Sequence, residues 1–281
     1  PSPVAEKSID RNRISIFFRS DVGLDIGAFL AACGGVLTVK ELSSLLKIRR
    51  CRTTSENDVR LCVDRSAGRM LTPVNVGFGG REILAYRLGH KVVERVIIRE
   101  IEPDFFGEGD DPEEESWWAQ VREKALIPYR KEIRRWVKGR VGGVWDKNTP
   151  NYVLSEPCFD LMLTDKGGDF LSVQIVLQRG RYEELLRRSG SRSSVLRMID
   201  REYFKVLEMN HGELSEDVLT SLLEVAEFRG HFARTTTYIA GLLKLHVLNF
   251  NVTPEVVLDM VLSIDDLECM LCTFKEAINA A

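Results

Sequence analysis

The chain has 281 residues, of which 44% are hydrophobic and 29% are charged, and its formal net charge is −3. This composition is ordinary for a globular protein and excludes a disordered chain. Because the sequence contains no run of about 18 apolar residues, it predicts no membrane-spanning helix. The N-terminal segment PSPVAEKSIDRNR lacks the apolar region of a signal peptide. Whether a leader has been removed stays open.

The first part of the chain is predicted to be rich in β-structure. Runs of β-branched and aromatic residues between short glycine-containing turns favour strands. The predicted strands are residues 13–19, 59–63, 70–76, 82–88 and 92–101. Two helices are predicted among them, a short buried one at 25–33 and one at 38–48 with Thr38 as its N-cap. The glycines from Gly77 to Gly80 are interpreted as a hairpin turn, because a phosphate-binding loop would need a helix after it.

An acidic segment and a basic helix follow. Residues 102–116 are interpreted as a solvated acidic linker, because their carboxylates do not follow calcium-loop spacing. Residues 116–140 are predicted to form an amphipathic helix, which Pro128 is expected to kink or restart. Its apolar residues recur every three or four positions and therefore share one face. They are Trp118, Val121, Ala125, Tyr129, Ile133 and Trp136.

The sheet is predicted to resume after the basic helix. The expected strands are residues 141–145, 152–164 and 170–178, with a hairpin turn from Asp165 to Gly168. Helices are predicted at 183–188 and 194–209. Capping residues and apolar periodicity then predict a compact C-terminal helical bundle. Its helices are residues 215–228, 236–250, 255–262 and 264–277.

These elements predict an α+β protein. A mainly antiparallel, β-rich N-terminal region with the basic helix would occupy residues 1–209, and an all-helical C-terminal bundle would occupy residues 210–281. Charge is unevenly spread, since residues 117–205 carry 18 basic and 11 acidic side chains, whereas residues 206–281 carry 4 and 12. This asymmetry predicts two surfaces with different partners, or attraction between the two parts within the fold or between subunits.

The six cysteines are not spaced like a disulfide framework. In a chain of this length they predict reduced thiols and an intracellular location, cytoplasmic or nuclear. Cys269 and Cys272 form a C-x-x-C motif, which is also found in redox and zinc sites. Because no second Cys or His pair lies nearby, they are interpreted as two core residues of one helix.

The sharpest binding hypothesis is nucleic-acid contact, with RNA as the expected ligand, through the basic helix at residues 122–140. Lysine and arginine side chains neutralise phosphates and release counterions. The candidate residues are Arg130, Lys131, Arg134, Arg135, Lys138, Arg140, Arg187, Arg188 and Arg192. In the competing interpretation these side chains are the solvated face of an amphipathic helix whose tryptophans lie in the core.

No catalytic motif of high specificity occurs, so the sequence predicts no catalytic residue, no metal ligand and no cofactor. A metal-dependent nuclease is a second alternative, in which His90, Asp104, the glutamates that follow Asp104 and a carboxylate near Asp160 would converge on metal ions. The segment 173–175 (VQI) lacks the charged residues that would strengthen this hypothesis.

The function that the sequence favours is therefore non-catalytic macromolecular binding, through protein–protein contacts and self-association into a homo-oligomer. Nucleic-acid binding is the first alternative to it. A regulatory protein of a virus or another pathogen would fit the lack of enzyme motifs. The sequence does not identify the partner.

Overall fold

The structure, a computed structural model, describes residues 20–50, 54–66, 70–78, 81–106, 115–140, 145–164, 171–209 and 216–233. Helices contain 76% of the described residues. The elements in chain order are α1 (Asp21–Ala32), β1 (Leu37–Thr38), α2 (Val39–Arg50), α3 (Glu56–Ser66), β2 (Leu71–Phe78), β3 (Arg81–Leu88), α4 (Lys91–Ile101), a 3₁₀ turn (Pro103–Phe105), α5 (Glu115–Arg140), α6 (Asn151–Leu154), α7 (Glu156–Leu163), α8 (Leu171–Gln174), α9 (Arg179–Ser189), α10 (Arg192–Met209) and α11 (Glu216–Ala233).

The prediction of a β-rich N-terminal region is wrong. The described residues contain one small three-stranded sheet, and several predicted strands are helical. Residues 59–63 lie in α3, residues 92–101 lie in α4, and residues 152–164 contain α6 and α7. The predicted strand 170–178 contains α8 and turns instead. What remains of the predicted class is mixed α+β content in which helices dominate.

Helix α4 shows why these segments mislead. Its sequence KVVERVIIREI is rich in β-branched residues, which are common in strands. The buried residues Val93, Ile97 and Ile98 nevertheless recur at helical spacing, so one face of a helix can bury all three. The Nδ1 atom of His90 caps the helix by accepting a hydrogen bond from the Val92 N–H at 3.1 Å. Packing and capping therefore override the strand propensity.

The predicted hairpin is confirmed. Strands β2 and β3 pair antiparallel from Leu71↔Leu88 to Phe78↔Arg81, and β1 joins the other edge of β3, which gives the order β1-β3-β2. The predicted helices at 25–33, 38–48, 116–140, 183–188 and 194–209 are also confirmed, as is that part of the predicted helix 215–228 that the structure describes. Pro128 lies inside α5, which runs from Glu115 to Arg140 as one element.

The described residues fall into two compact units, one within Pro1–Gly142 and Thr149–Leu161 and the other within Gly143–Asn148 and Met162–Ala281. In the first unit, α1 packs against α2, α4, α5 and β3 and is buried along most of its length. The Ser20 hydroxyl caps α1 by accepting a hydrogen bond from the Gly23 N–H at 3.1 Å. This helix therefore forms the centre of the core on which α5 lies.

The second unit packs α8, α9, α10 and α11 together. A fully buried ion pair joins α9 to α10, because Arg181 donates hydrogen bonds of 2.6 and 2.9 Å to the two carboxylate oxygens of Glu202. The Tyr182 hydroxyl donates a third hydrogen bond, of 2.7 Å, to Glu202 Oε2. The charges of this pair are thus matched inside the core.

Several predictions fall outside the described residues. They concern the strand at 13–19, the turn from Asp165 to Gly168, most of the strand at 141–145, the C-x-x-C motif, and the helices at 236–250, 255–262 and 264–277. The predicted domains 1–209 and 210–281 also stay a prediction. In the part of the chain that the structure describes, no helix is long and apolar enough to cross a membrane.

Candidate nucleic-acid interface

Helix α5 presents one buried and one exposed face, as its periodicity predicts. The side chains of Val121, Ala125 and Ile133 are buried, and Tyr129 and Trp136 are each only 3% exposed. Of the predicted apolar face only Trp118 is partly exposed. The opposite face of the helix therefore points to solvent within this unit.

A polar network fixes how α5 sits on α1 and α2. The buried Asp25 carboxylate accepts hydrogen bonds from Arg49 at 2.9 Å, Arg50 at 2.6 Å and the Tyr129 hydroxyl at 3.1 Å. Arg49 also donates to Glu132 on α5 at 3.0 Å, and its guanidinium lies 4.0 Å from the centre of the Tyr129 ring. Burial, together with the charge of Asp25, raises the pKa of Tyr129 and keeps its hydroxyl protonated as a donor.

Three of the candidate cations form a row on the exposed face of α5. Lys131, Arg135 and Lys138 are exposed and lie at i, i+4 and i+7, so they share one side of the helix. Within the described residues these three side chains form no hydrogen bond and no ion pair. We refer to Lys131, Arg135 and Lys138 as the basic stripe.

The other candidates on α5 have structural contacts. Arg130 forms an ion pair with Glu123, and Arg134 donates hydrogen bonds of 3.1 and 3.0 Å to the backbone carbonyl of Leu161. Arg140 is exposed and donates to the Ser44 hydroxyl at 3.4 Å, which brings the end of α5 beside α2. The sequence does not separate these arginines from the basic stripe, because their partners lie in other parts of the chain or about two turns earlier in α5.

Helix α2 adds two cations that the sequence-based hypothesis omits. Lys40 and Lys47 are exposed and lie on the same side of α2 as Ser44, the residue that Arg140 contacts. Residues 39–50 and 130–140 are all described, and neither range contains an exposed carboxylate. Glu41 is buried, and Glu132 is bonded to Arg49. The sequence alone does not predict this absence of exposed acids, because it does not show that Glu41 is buried or that Glu132 is bonded to Arg49.

Glu41 holds the start of α2 in place. Its carboxylate accepts hydrogen bonds from the Thr38 N–H at 2.8 Å, the Thr38 hydroxyl at 2.9 Å and the Tyr152 N–H at 2.9 Å. The Thr38 hydroxyl accepts in return from the Glu41 N–H at 3.2 Å, which completes a capping box. Burial raises the pKa of Glu41, although these hydrogen bonds oppose the shift.

Two candidate arginines of the second unit, Arg187 and Arg188, are neutralised within that unit. Arg187 and Arg188 both donate to the Glu184 carboxylate, at distances of 2.6–2.7 Å, and Arg188 also donates to the backbone carbonyl of Asp146 at 2.9 Å. The hydrogen bonds from Arg187, followed by those from Arg188, lower the pKa of Glu184. Arg192 is exposed at the start of α10. Arg187 and Arg188 thus differ from the basic stripe, whose side chains form no ion pair within the described residues.

The residues proposed for a metal-dependent nuclease are used differently or lie apart. His90 caps α4, and Asp104 is exposed in the 3₁₀ turn. Across the described ranges, no group of three or more His, Cys, Asp and Glu side chains is arranged to hold a metal ion. The geometry of the described residues therefore gives the nuclease hypothesis no support.

Helix α3 exposes mixed charges. Together with α2 it forms two consecutive packed helices that precede the β2–β3 hairpin. Its exposed residues include the acids Glu56, Asp58 and Asp64 beside Arg60 and Arg65. Asp58 accepts hydrogen bonds from Ser55, which caps the helix. Unlike α2 and the end of α5, this helix does not present a basic surface.

Comparison with protein-family models, with curated proteins and with solved structures finds no match to this chain.

Proposed function

We propose that this protein is a non-catalytic nucleic-acid-binding protein that holds phosphates on the basic stripe of α5. The observation that carries this proposal is the row Lys131, Arg135 and Lys138, exposed and without ion pairs among the described residues. Cations without a carboxylate ion-pair partner attract polyanions, and a nucleic-acid duplex carries one negative charge per about 1.7 Å of its axis. An intracellular location remains part of the proposal.

The surroundings of the stripe support an anionic ligand. Lys40, Lys47 and Arg140 add positive charge at the end of α5, and residues 39–50 and 130–140 have no exposed carboxylate. Each phosphate contact changes log K by about −0.9 per tenfold rise in salt on a duplex. At about 0.1 M salt, one contact therefore corresponds to roughly an eightfold gain in affinity relative to 1 M salt.

The order of elements is compatible with this role. In helix–turn–helix proteins the first helix of a consecutive pair crosses the phosphate backbone, and the second enters the major groove. Helices α2 and α3 follow each other in this way, and α2 is the member of the pair that carries Lys40 and Lys47. This likeness is one of element order alone and does not carry the proposal.

The proposal is tested by titrating labelled DNA and RNA with the full chain and with a K131E/R135E/K138E variant. We expect the charge reversal to weaken binding by a factor on the order of 10² at about 0.1 M salt, because up to three phosphate contacts become repulsive. Since all three side chains are exposed and lack partners in the described residues, the thermal unfolding temperature should stay close to that of the wild type.

A matched control uses the arginines of α9. An R179E/R187E/R188E variant changes the net charge by the same amount, but at side chains that already have carboxylate partners. It should weaken binding far less than the α5 variant. Equal losses in the two variants would mean that only net charge matters, and the assignment to the basic stripe would be wrong. No binding of the wild type to any nucleic acid would refute the proposal.

Assembly through protein–protein contacts, the function that the sequence favoured, is a second candidate. The consecutive residues Ile83 and Leu84 of β3 are 42% and 46% exposed. Consecutive strand residues point to opposite faces, so neither face of the hairpin is covered there by the described residues. Light scattering of the wild type and of I83S/L84S tests this candidate. A defined oligomer that the double substitution dissociates would support it, and a wild-type monomer would refute it.

A further inference from the structure

We infer that the ligand of the basic stripe is double-stranded nucleic acid, held through its phosphate backbone without regard to base sequence. This inference rests on the proposed function and narrows its ligand from nucleic acid in general to a duplex. Three features of the first unit carry it, namely the burial of aromatic rings beside the stripe, the spacing of its cations, and the charges on α3.

Among the described residues, the half of α5 that carries the stripe exposes no aromatic side chain on which an unpaired base could stack. Proteins that bind single strands combine cations with exposed aromatic side chains, because stacking contributes about 1–3 kcal/mol per base. The aromatic residues on the same half of α5 are Tyr129 and Trp136, and each is only 3% exposed. Residues 39–50 of α2 contain no aromatic residue.

The partly exposed aromatic residues lie at the other end of α5. Trp118 precedes Lys131 by 13 residues, which corresponds to about 20 Å along a helix. Its ring packs with Phe106 at 5.6 Å, and the Arg95 guanidinium lies 5.6 Å from its centre. The rings of this cluster are thus engaged with each other and with the protein's own cations, at a distance from the stripe.

The length of the stripe favours the ligand with the denser charge. Lys131 and Lys138 are separated by seven residues, or about 10 Å along the helix. A duplex carries one charge per about 1.7 Å of its axis, counted over both strands, and a single strand one per about 3.4 Å, so about 10 Å of axis corresponds to about six charges of a duplex but about three of a single strand. Without stacking to compensate, the electrostatic difference decides in favour of the duplex.

Helix α3 argues against reading of the bases. A helix that enters the major groove must pass between phosphates with its N-terminal residues at the base edges. The first turn of α3 exposes Glu56 and Asp58, and its last turn exposes Asp64. These carboxylates would be repelled by the flanking phosphates. Backbone contacts fix position but carry no sequence information, so a ligand held by the stripe is bound independently of sequence.

The test compares one duplex and its two separated strands, of equal length, as DNA and as RNA, with the full chain at one salt concentration. We expect the duplexes to bind about tenfold or more tightly than the single strands, because more phosphates face the stripe. Scrambling the duplex sequence should change affinity by less than about twofold, since no base edge is read. The K131Q/R135Q/K138Q variant should lose most of the preference for the duplex.

Each result separates this inference from the proposed function. Single strands that bind as tightly as the duplex, or more tightly, overturn the inference while leaving nucleic-acid binding intact. A strong dependence on duplex sequence overturns it as well, and so does a duplex preference that survives in the triple variant. A chain that binds none of the six ligands refutes the proposed function itself. DNA and RNA duplexes bound alike are expected, because both present the phosphates that the stripe contacts.

Discussion

The end of α5 and helix α9 have similar compositions but differ in how many of their cations form ion pairs. Both are rich in arginine, and the sequence placed residues of both in one candidate binding set. On α5 the exposed Lys131, Arg135 and Lys138 have no ion pair within the described residues. On α9 each of Arg179, Arg181, Arg187 and Arg188 has a carboxylate partner. The position of the carboxylates, and not the number of cations, therefore distinguishes a surface available to polyanions from one that is internally neutralised.

Helical spacing explains much of the contrast. In α9, Glu183 lies four residues after Arg179, and Glu184 lies three and four residues before Arg187 and Arg188, so the pairs form within the helix. In α5, Glu132 is held by Arg49 of α2 and Glu123 pairs with Arg130. Neither Glu123 nor Glu132 therefore forms an ion pair with the basic stripe, although burial raises the pKa of Glu132 and the charge of Arg135 partly opposes that rise.

The largest effect is expected from a substitution that breaks the buried ion pair between Arg181 of α9 and Glu202 of α10. In E202Q the Arg181 guanidinium keeps its charge in the core but loses its carboxylate, so we expect the free energy of unfolding to fall by about 3–5 kcal/mol. Chemical denaturation measures this loss. Binding of nucleic acid by the folded variant should be unchanged, because the basic stripe belongs to the other unit.

The control for this substitution removes the whole buried polar group. In R181M/E202L/Y182F no charge or hydroxyl of the network is left without its partner, so most of the lost stability should return. A triple variant as unstable as E202Q would contradict the view that an unmatched buried charge causes the loss.

The second largest effect is expected from placing an acid beside a cation of the basic stripe, so that α5 contains the kind of ion pair found in α9. Ile127 is 46% exposed and lies four residues before Lys131, so I127E provides an acid at the spacing that favours an ion pair. Neutralising one phosphate contact should weaken duplex binding by roughly five- to tenfold at about 0.1 M salt. Fluorescence anisotropy measures this change. I127Q has the same length without the charge and should bind like the wild type, and an equal loss in both variants would count against the pairing argument.

The third expected effect contrasts two carboxylates by their pH dependence. Burial raises the pKa of Glu41 above 4.5, so the folded state holds its proton more tightly than the unfolded chain does. The contribution of Glu41 to stability is therefore fully present below pH 4.5 and is lost as pH rises through its folded-state pKa. As pH rises above 4.5, the unfolding temperature of the wild type should therefore fall relative to that of E41Q.

Glu184 provides the matched case of opposite sign. Its two arginine partners lower its pKa, so its stabilising contribution is present above pH 4.5 and is lost as pH falls through its folded-state pKa. As pH falls below 4.5, the unfolding temperature of the wild type should therefore fall relative to that of E184Q. Thermal unfolding of the wild type, E41Q and E184Q across pH measures the direction of both changes. The same direction of change in both variants would refute the assignment of these shifts to burial and to the arginines.

The smallest expected effect is that of R187Q. The Arg187 side chain is 58% exposed, but Glu184 neutralises it and keeps Arg188 as a second partner in the variant. We expect duplex affinity to stay within about twofold of the wild type, because no phosphate contact is lost. A loss as large as that of R135Q, measured in parallel, would place α9 in the binding surface.

The sequence predicted elements whose signal is local. Helix α5 was found from its apolar repeat, and the β2–β3 hairpin from two β-rich runs around glycines. The sequence predicts Thr38 as a cap, and the T-x-x-E spacing from Thr38 to Glu41 is typical of a capping box. The sequence does not predict helices α3, α4 and α7, because their valine, isoleucine and aromatic residues favour strands. Only packing in the core shows whether their apolar residues follow the period of a helix or that of a strand.

Part of the candidate site was equally predictable. The basic stripe follows from spacing on α5, and the pairing of Arg187 and Arg188 was readable from the glutamates three and four residues before them. The contact of Arg134 with the Leu161 carbonyl, and that of Arg140 with Ser44 beside Lys40 and Lys47, join residues far apart in the chain. Contacts of this kind depend on tertiary structure and leave no local signal.

The most direct test of the account compares the salt dependence of duplex binding for the wild type, K131Q/R135Q/K138Q and R179Q/R187Q/R188Q. Each phosphate contact contributes about 0.9 to the slope of log K against log salt, so the α5 variant should lose up to about 2.7 of that slope. The α9 variant removes the same number of charges and should keep the wild-type slope. Equal loss of slope in both variants, or a larger loss in the α9 variant, would contradict the claim that the basic stripe, and not the paired arginines of α9, binds phosphates.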